Sequence, residues 1–225
     1  MLSVDAQVTR RGPKRSLTGE QIVDTALELL DASEPLSIRA VAARLGVRPN
    51  TLYTYFPDRI ALERAIIDRL LGLADPDLLT GRRSWRRRVE DYACALRAVL
   101  LRRPGAVGLF FTAAMDGHTA ALVGERLLEN FTSAGLPAAD ASRASYAVIV
   151  LVLGATALAV ADRPPGHLGG EADLMALRHE RLAAVDLAAF PLTATTVQVA
   201  AAYNTEAQFR WQLRALLDGC ERTPH

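Results

Sequence analysis

Arg39, Arg48, Asn50, Thr51, Tyr53, Tyr55 and Arg59 fall within one stretch, L-S-I-R-A-V-A-A-R-L-G-V-R-P-N-T-L-Y-T-Y-F-P-D-R at residues 36–59. The chemistry such a set offers is recognition, because guanidinium, amide and hydroxyl donors suit phosphate oxygens and base edges. Catalysis finds little support elsewhere. His118, His167, His179 and His225 form no H-E-x-x-H or Cys-His arrangement, and neither a G-x-S-x-G elbow nor a Walker loop is present. The glycine-rich segment 164–170 follows a helix pattern instead of a strand, so it reads as a mobile connector and not as a phosphate cradle. Cys94 and Cys220 are too few for a disulfide framework and lack metal-ligand spacing. The expectation is no enzyme, no cofactor and no metal.

To present its donors outward, the stretch needs two short helices and a tight turn. Ser37 can cap the first, in which Ile38, Val41, Ala42 and Leu45 face inward while Arg39 and Arg44 point out. Gly46 supplies the turn, and Val47 can plug the angle between the helices. Pro49 suits the first turn of the second helix, where its missing amide hydrogen costs nothing. Leu52 and Phe56, four residues apart, anchor that helix to a core. A helix–turn–helix unit of this kind lays its second helix in the major groove of DNA.

The flanking elements read in the same way. Thr18 and Gln21 fit a capping box, and Ile22, Ala26, Leu29 and Leu30 share one face, so a first helix is expected over about 19–33, stopped by Pro35. Asp58 caps a fourth helix carrying Ile60, Leu62, Ile66, Ile67, Leu70 and Leu71. It ends near Asp75-Pro76, and residues 76–81 form the expected hinge. Further helices are expected over roughly 84–102, 105–116, 119–134, 139–162, 172–187, 193–201 and 204–221, and no strand pattern competes with them.

The formal net charge of +1 places any nucleic-acid footprint in local patches. Residues 1–17 carry Arg10, Arg11, Lys14 and Arg15, either as a solubilising tail or as an electrostatic arm on DNA. The densest basic run, Arg82-Arg83-Ser84-Trp85-Arg86-Arg87-Arg88, reads as a solvated or inter-domain face with Glu90 and Asp91 as partners. Residues 144–161 carry no charge, and at about 1.5 Å per residue such a helix spans roughly 27 Å. Alanine, Ser145, Tyr146, Gly154 and Thr156 make it a buried helix instead of a membrane span. No apolar run follows the basic N-terminus, so the expectation is cytoplasmic, with no membrane partner.

The A-x-x-L-G-V turn, the T-L-Y-x-Y-F helix and the acidic-basic pair Asp58-Arg59 resemble the DNA-binding core of the tetracycline-repressor (TetR) family of bacterial regulators, over about residues 17–62. More loosely, Phe209 to Leu213 and Leu216-Leu217-Asp218-Gly219 are similar to the last helix of the tetracycline-repressor subgroup. The resemblance implies that Arg39 reads a base edge and that Arg48, Pro49 and Asn50 open the recognition helix beside bases or phosphates. It implies phosphate contacts for Ser37, Thr51, Tyr53, Tyr55 and Arg59. It also implies an interior ligand site, lined here by Tyr92, Leu96, Phe110, Met115, His118, Phe131, Tyr146 and Ile149, with Leu109 and Leu127 beside them. Such a lining suits an apolar or aromatic effector. Gly105-Ala106-Val107-Gly108-Leu109 lacks the metal-binding histidine of true tetracycline repressors, which argues against a drug–magnesium inducer. Pairing into a homodimer is implied through the helix at 139–162 and the last helix, with Phe209, Leu213, Leu216, Leu217 and Cys220 on one stripe and Ala155, Ala157 and Ala159 allowing close approach.

The expected fold is all-α. It has a basic arm at 1–17, a three-helix DNA-binding domain within 18–75, and a larger helical ligand-binding and dimerisation domain at 76–225. The expected function is a repressor that binds a palindromic operator as a homodimer and leaves it when a small molecule binds. An activator or ligand-independent regulator of the same fold, an enzyme with an apolar pocket, and a membrane-associated helical protein stay as alternatives.

Overall fold

The structure, a computed structural model, describes residues 17–164, 166, 169–185 and 187–222. The basic arm, except Leu17, lies outside the described residues, as does part of the 163–171 connector. The described residues form an all-helical chain: α1 (Gly19–Asp31), α2 (Ile38–Leu45), α3 (Pro49–Tyr53), α4 (Arg59–Leu73), α5 (Trp85–Arg102), α6 (His118–Ser133), α7 (Ala138–Ala161), α8 (Glu171–Ala183), α9 (Pro191–Ala201) and α10 (Glu206–Arg222). Shorter 3-10 segments join some of them, at Pro76–Leu79, Pro104–Phe111 and Leu187–Ala189.

Local chemistry sets the ends of the first four helices. The Gln21 amide donates to Thr18 Oγ1 (3.2 Å) and the Thr18 amide to Gln21 Oε1 (3.1 Å), a reciprocal cap for α1. Ser37 Oγ accepts from the Ala40 amide (3.0 Å), and Asp58 Oδ1 accepts from Ala61 (2.7 Å). Gly46 ends α2 at φ +68°, the left-handed conformation that a side chain disfavours. α1 stops at Asp31, short of the expected 33, because Ser33 has already turned to φ +58° before Pro35 is reached.

One apolar cluster runs from Ile22 in α1 to Leu217 in α10. α4 holds the two halves of the chain together, packing on α1 and also on α5 and α6. Its Leu62, Ile66, Ile67, Leu70 and Leu71 are buried, whereas Ile60, expected among them, is exposed. It shares the face of Ile67 but lies in the first turn, ahead of Leu62 where burial begins.

Three expectations change. Residues 76–81 are a fastened corner and not a loose hinge: Leu79 is buried, its carbonyl accepts from Asn130 Nδ2 (2.8 Å), and Gly81 O accepts from Arg88 (2.8 Å). The α-helix expected at 105–116 is a 3-10 segment over Pro104–Phe111. Its glycines weaken an α-helix, and a Cβ on Gly105 would lie 2.0 Å from the Leu30 carbonyl oxygen of α1. On α10, Phe209, Leu213 and Leu217 are buried within this chain, against α5 and α7, and so belong to its own core. Ala159 of α7 is likewise already covered.

α7 is long and apolar enough to cross a membrane by length and composition alone. Here Val148, Val152 and Thr156 are buried, while Tyr146 is 70% and Leu158 62% exposed, with Val150 open between them. α8 and α9 pack chiefly on each other. Arg178 of α8 pins them to α7 through Asp162 and donates to the Ala201 carbonyl (2.6 Å).

Gly105→Ala is expected to lower stability by about 1–3 kcal/mol through overpacking against α1. Gly108→Ala, whose Cβ meets nothing within 4 Å, should stay near the parent. Equal urea midpoints for the two variants would contradict the close approach.

Candidate nucleic-acid interface and ligand cavities

The recognition residues gather on one edge of the α2–α3 unit. Leu52 alone in α3 is buried; Arg39, Arg48, Asn50, Thr51, Tyr53, Tyr55 and Arg59 are exposed, and Pro49 is half-buried. α3 spans only five residues, so its hold on the core comes from Leu52, with Phe56 just beyond it packed beside Gly19.

The arginines of this edge differ in what they already hold. Arg44 is paired with Glu34 (2.5 Å) and Arg59 with Glu63 (2.6 Å). Among the described residues, Arg39 and Arg48 meet no carboxylate, so their charge stands open to a phosphate or a base. Ser37 is occupied by its capping bond. The Tyr55 hydroxyl donates to the Leu17 carbonyl (2.5 Å), which ties the base of the N-terminal segment to the end of α3. Among the described residues Tyr53 meets no such partner, and its side chain is exposed.

Polar contacts couple this head to the rest. Asp68 of α4 accepts from the Ala120 amide (2.9 Å), capping α6 from a neighbouring helix, and Gly117 leaves it room because a Cβ there would lie 2.3 Å from Asp68 Oδ1. Arg64 of α4 reaches Asp116 (3.3 Å) just ahead of α6. Arg103 pairs with Asp31 at the end of α1.

Most of the basic run at 82–88 is paired within the chain, partly at its surface. Arg83 and Arg87 pair with Asp91 (2.5 and 3.0 Å), and Arg88 donates to Asn130 Oδ1 (2.7 Å). Arg86 meets Asp218 (2.5 Å) and Glu221 (3.3 Å) on α10. Burial pulls the Arg86 guanidinium down, but hydrogen bonds and charge from Asp218 and Glu221 outweigh it and raise its affinity for the proton. Both cysteines are held towards the neutral thiol, chiefly by burial.

Two cavities matter. A pocket of about 190 Å³ between α6 and α7 is lined by Met115, Val123, Leu127, Tyr146 and Ile149, so Met115, Tyr146 and Ile149 of the expected set come together there. Tyr92, Leu96, Phe110 and Phe131 do not: they fill the core, with Phe131 against Trp85 (centroids 5.5 Å apart) and the Tyr92 hydroxyl donating to Leu71 O (3.3 Å). Burial raises the Tyr92 phenol well above its ordinary range. His118 is exposed at the start of α6, off the cavity wall. A larger space of about 450 Å³ lies between α7 and the start of α10, with Arg97 in its wall. Sequence reading passed over Arg97, although it follows Val89 and Ala93 at four-residue spacing on a buried face. Among the described residues, no group of three or more histidine, cysteine, aspartate or glutamate side chains could hold a metal.

Residues 76–223 match the family described as tetracyclin repressor-like, C-terminal domain. An HTH-type transcriptional repressor of Streptomyces coeruleorubidus is 35% identical over 96 residues, 42% of this chain and 36% of that protein. An HTH-type transcriptional regulator of Saccharopolyspora erythraea is 32% identical over 143 residues, 63% of this chain and 60% of that one. The chain thus spans less than two thirds of the length of these two relatives. Among solved structures, a possible TetR family transcriptional regulator from Streptomyces coelicolor superposes with TM-score 0.75 at 30% identity, covering 90% of this chain and 98% of that one. The Streptomyces coelicolor protein ActR in complex with actinorhodin (TM-score 0.75, 22%, 91% and 96% covered) shares the fold. So does BioQ with its double-stranded DNA operator (TM-score 0.62, 23%, 92% and 100% covered).

Asp68→Ala is expected to uncap α6 and lower stability by about 1 kcal/mol, with Asp68→Asn keeping most of it. Urea unfolding of both variants checks this, and an unchanged midpoint for Asp68→Ala would remove the cap from the account.

Proposed function

The chain belongs to the tetracycline-repressor (TetR) family of bacterial transcriptional regulators, and on that premise we propose that it is a repressor that grips a palindromic operator as a homodimer in the cytoplasm. Residues 18–75 act as the reading head and residues 76–225 as the effector-binding and pairing domain. The observation that carries the reading is the exposed edge around α3, where Arg39 and Arg48 meet no carboxylate among the described residues and Asn50, Thr51 and Tyr53 stand beside them. Arg39 reads a base edge; Arg48 and Asn50 serve bases or nearby phosphates; Thr51, Tyr53 and Arg59 grip phosphates, Arg59 while paired with Glu63. Tyr55 contributes by holding Leu17, from which the basic arm departs. The BioQ–operator complex, on the same fold, supports DNA as the partner.

One such head contacts only a few base pairs, and two-fold pairing supplies the second half-site. The exposed apolar face of α7, with Tyr146, Val150 and Leu158, and Trp211 on α10 are the surface assigned to that pairing. An apolar effector seated between α6 and α7, beside Met115, Tyr146 and Ile149, moves α6 and with it Asp68 and Arg64 on α4. The separation of the two α3 helices then no longer fits the half-sites, and effector and operator weaken each other's binding reciprocally. ActR bound to actinorhodin supports a small-molecule effector on this fold.

Selection of bound genomic fragments followed by gel shift tests the reading. The expected result is a salt-dependent shift of a palindromic site, and a soluble dimer without any specific site would overturn it. Arg39→Ala should weaken binding by about 1–3 kcal/mol and relax preference at one base pair, whereas Arg48→Ala should lower the log–log salt slope by about 1 if it meets a phosphate. An Arg39→Ala protein with the parent's full sequence preference would remove Arg39 from base reading.

A further inference from the structure

Where α1, α4 and α6 meet, the joint between head and body holds a groove of about 420 Å³, within the range of small-molecule sites. Val23 and Phe56 give it apolar surface, and Thr119 brings α6 into its wall. None of its lining comes from α7 or α10, so the face assigned to pairing is not part of it. It also shares no lining residue with the pocket between α6 and α7. Its charged groups are only partly engaged. Among the described residues Arg69 of α4 meets Asp24 alone, at 3.4 Å from Nε and without hydrogen-bond geometry, which leaves its terminal nitrogens without a partner. Glu20, in the first turn of α1, meets no cation among them. Asp68 gives Oδ1 to the Ala120 amide (2.9 Å) and keeps Oδ2 without a partner.

Both signs of charge in one groove select the ligand. A simple anion drawn to Arg69 meets Glu20 and Asp68, and a simple cation drawn to the acids meets Arg69, so each is repelled as well as attracted. We propose that this groove binds a small zwitterion, an α-amino acid with an apolar side chain. Its carboxylate lies on the Arg69 guanidinium, whose planar N–H donors suit it, and its ammonium lies towards Glu20 and Asp68. Its side chain covers Val23 and Phe56. Such a ligand touches α1, α4 and α6 together, and so braces the head on the body from a place separate from the effector pocket.

The test uses the full chain without DNA, so its outcome is independent of operator binding. Phenylalanine and leucine are titrated beside phenethylamine and 3-phenylpropanoate, which carry one charge each, reading calorimetric affinity and melting temperature. Phenylalanine is expected to bind about tenfold or more tightly than either single-charge analogue. Arg69→Gln should weaken phenylalanine by about tenfold without weakening phenethylamine. Glu20→Gln should weaken phenylalanine and phenethylamine together and spare 3-phenylpropanoate. Gly72→Leu adds a side chain to the groove wall where a Cβ lies an ordinary 3.7 Å from Thr119 Cγ2. It should block both amino acids in a folded protein even if Arg69→Gln, which also loses the Asp24 pair, does not fold. No binding by either amino acid, an analogue that binds as tightly as phenylalanine, or undiminished affinity in Gly72→Leu overturns the site.

Discussion

Everything in this molecule depends on α4 being buried along most of its length by two different sets of neighbours. Its apolar residues complete the small core under the helix–turn–helix and simultaneously sit against α5 and α6. Each fully buried leucine or isoleucine contributes about 1.5–3 kcal/mol. Separating the head from the body would therefore expose several such side chains at once. Packed this way, α4 leaves room only for small displacements between head and body, and the contacts Asp68 to Ala120 and Arg64 to Asp116 link it to α6.

That constraint explains why the corner at 76–81 is riveted. A free joint below α4 would let the body rearrange without moving the head. Asn130 prevents this by bonding Leu79 and Arg88 together, so three elements share one buried amide. Arg86 and Arg88 serve the same end, joining α5 to the corner, to α6 and to α10. The charge that reads in the sequence as a solvated or inter-domain face is largely matched by carboxylates of the same chain, Glu90 and Asp91 among them.

What was legible in the sequence was local. Caps at Thr18, Ser37 and Asp58, the turn at Gly46 and the buried Leu52 depend on neighbours within four residues, and the structure has them as read. Periodicity also found the apolar stripe Phe209–Leu213–Leu217, but a stripe does not say whether its own chain or another covers it. Glu90 meets Arg86 at the expected four-residue spacing, but Asp218 and Glu221 of Arg86 and Asn130 of Arg88 lie far away in the chain, beyond any spacing rule. The segment at 104–111 is a 3-10 stretch that brings Gly105 against the Leu30 carbonyl of α1, a close approach that composition cannot display. For the ligand residues, aromatic and methionine side chains at helical spacing did not distinguish a cavity wall from a filled core, so Tyr92 and Phe131 were grouped with Tyr146.

The brevity of α3 has an evolutionary side. Only Leu52 of its five residues is fixed by packing, and the exposed positions around it make few contacts with the body. Substitutions at Arg48, Asn50, Thr51 or Tyr53 are thus nearly free of a folding penalty, since surface changes typically stay within about 0.5 kcal/mol. A duplicated copy of this gene could drift to a new DNA sequence one residue at a time without passing through an unfolded ancestor. The reading edge is the part of the chain in which change is cheapest.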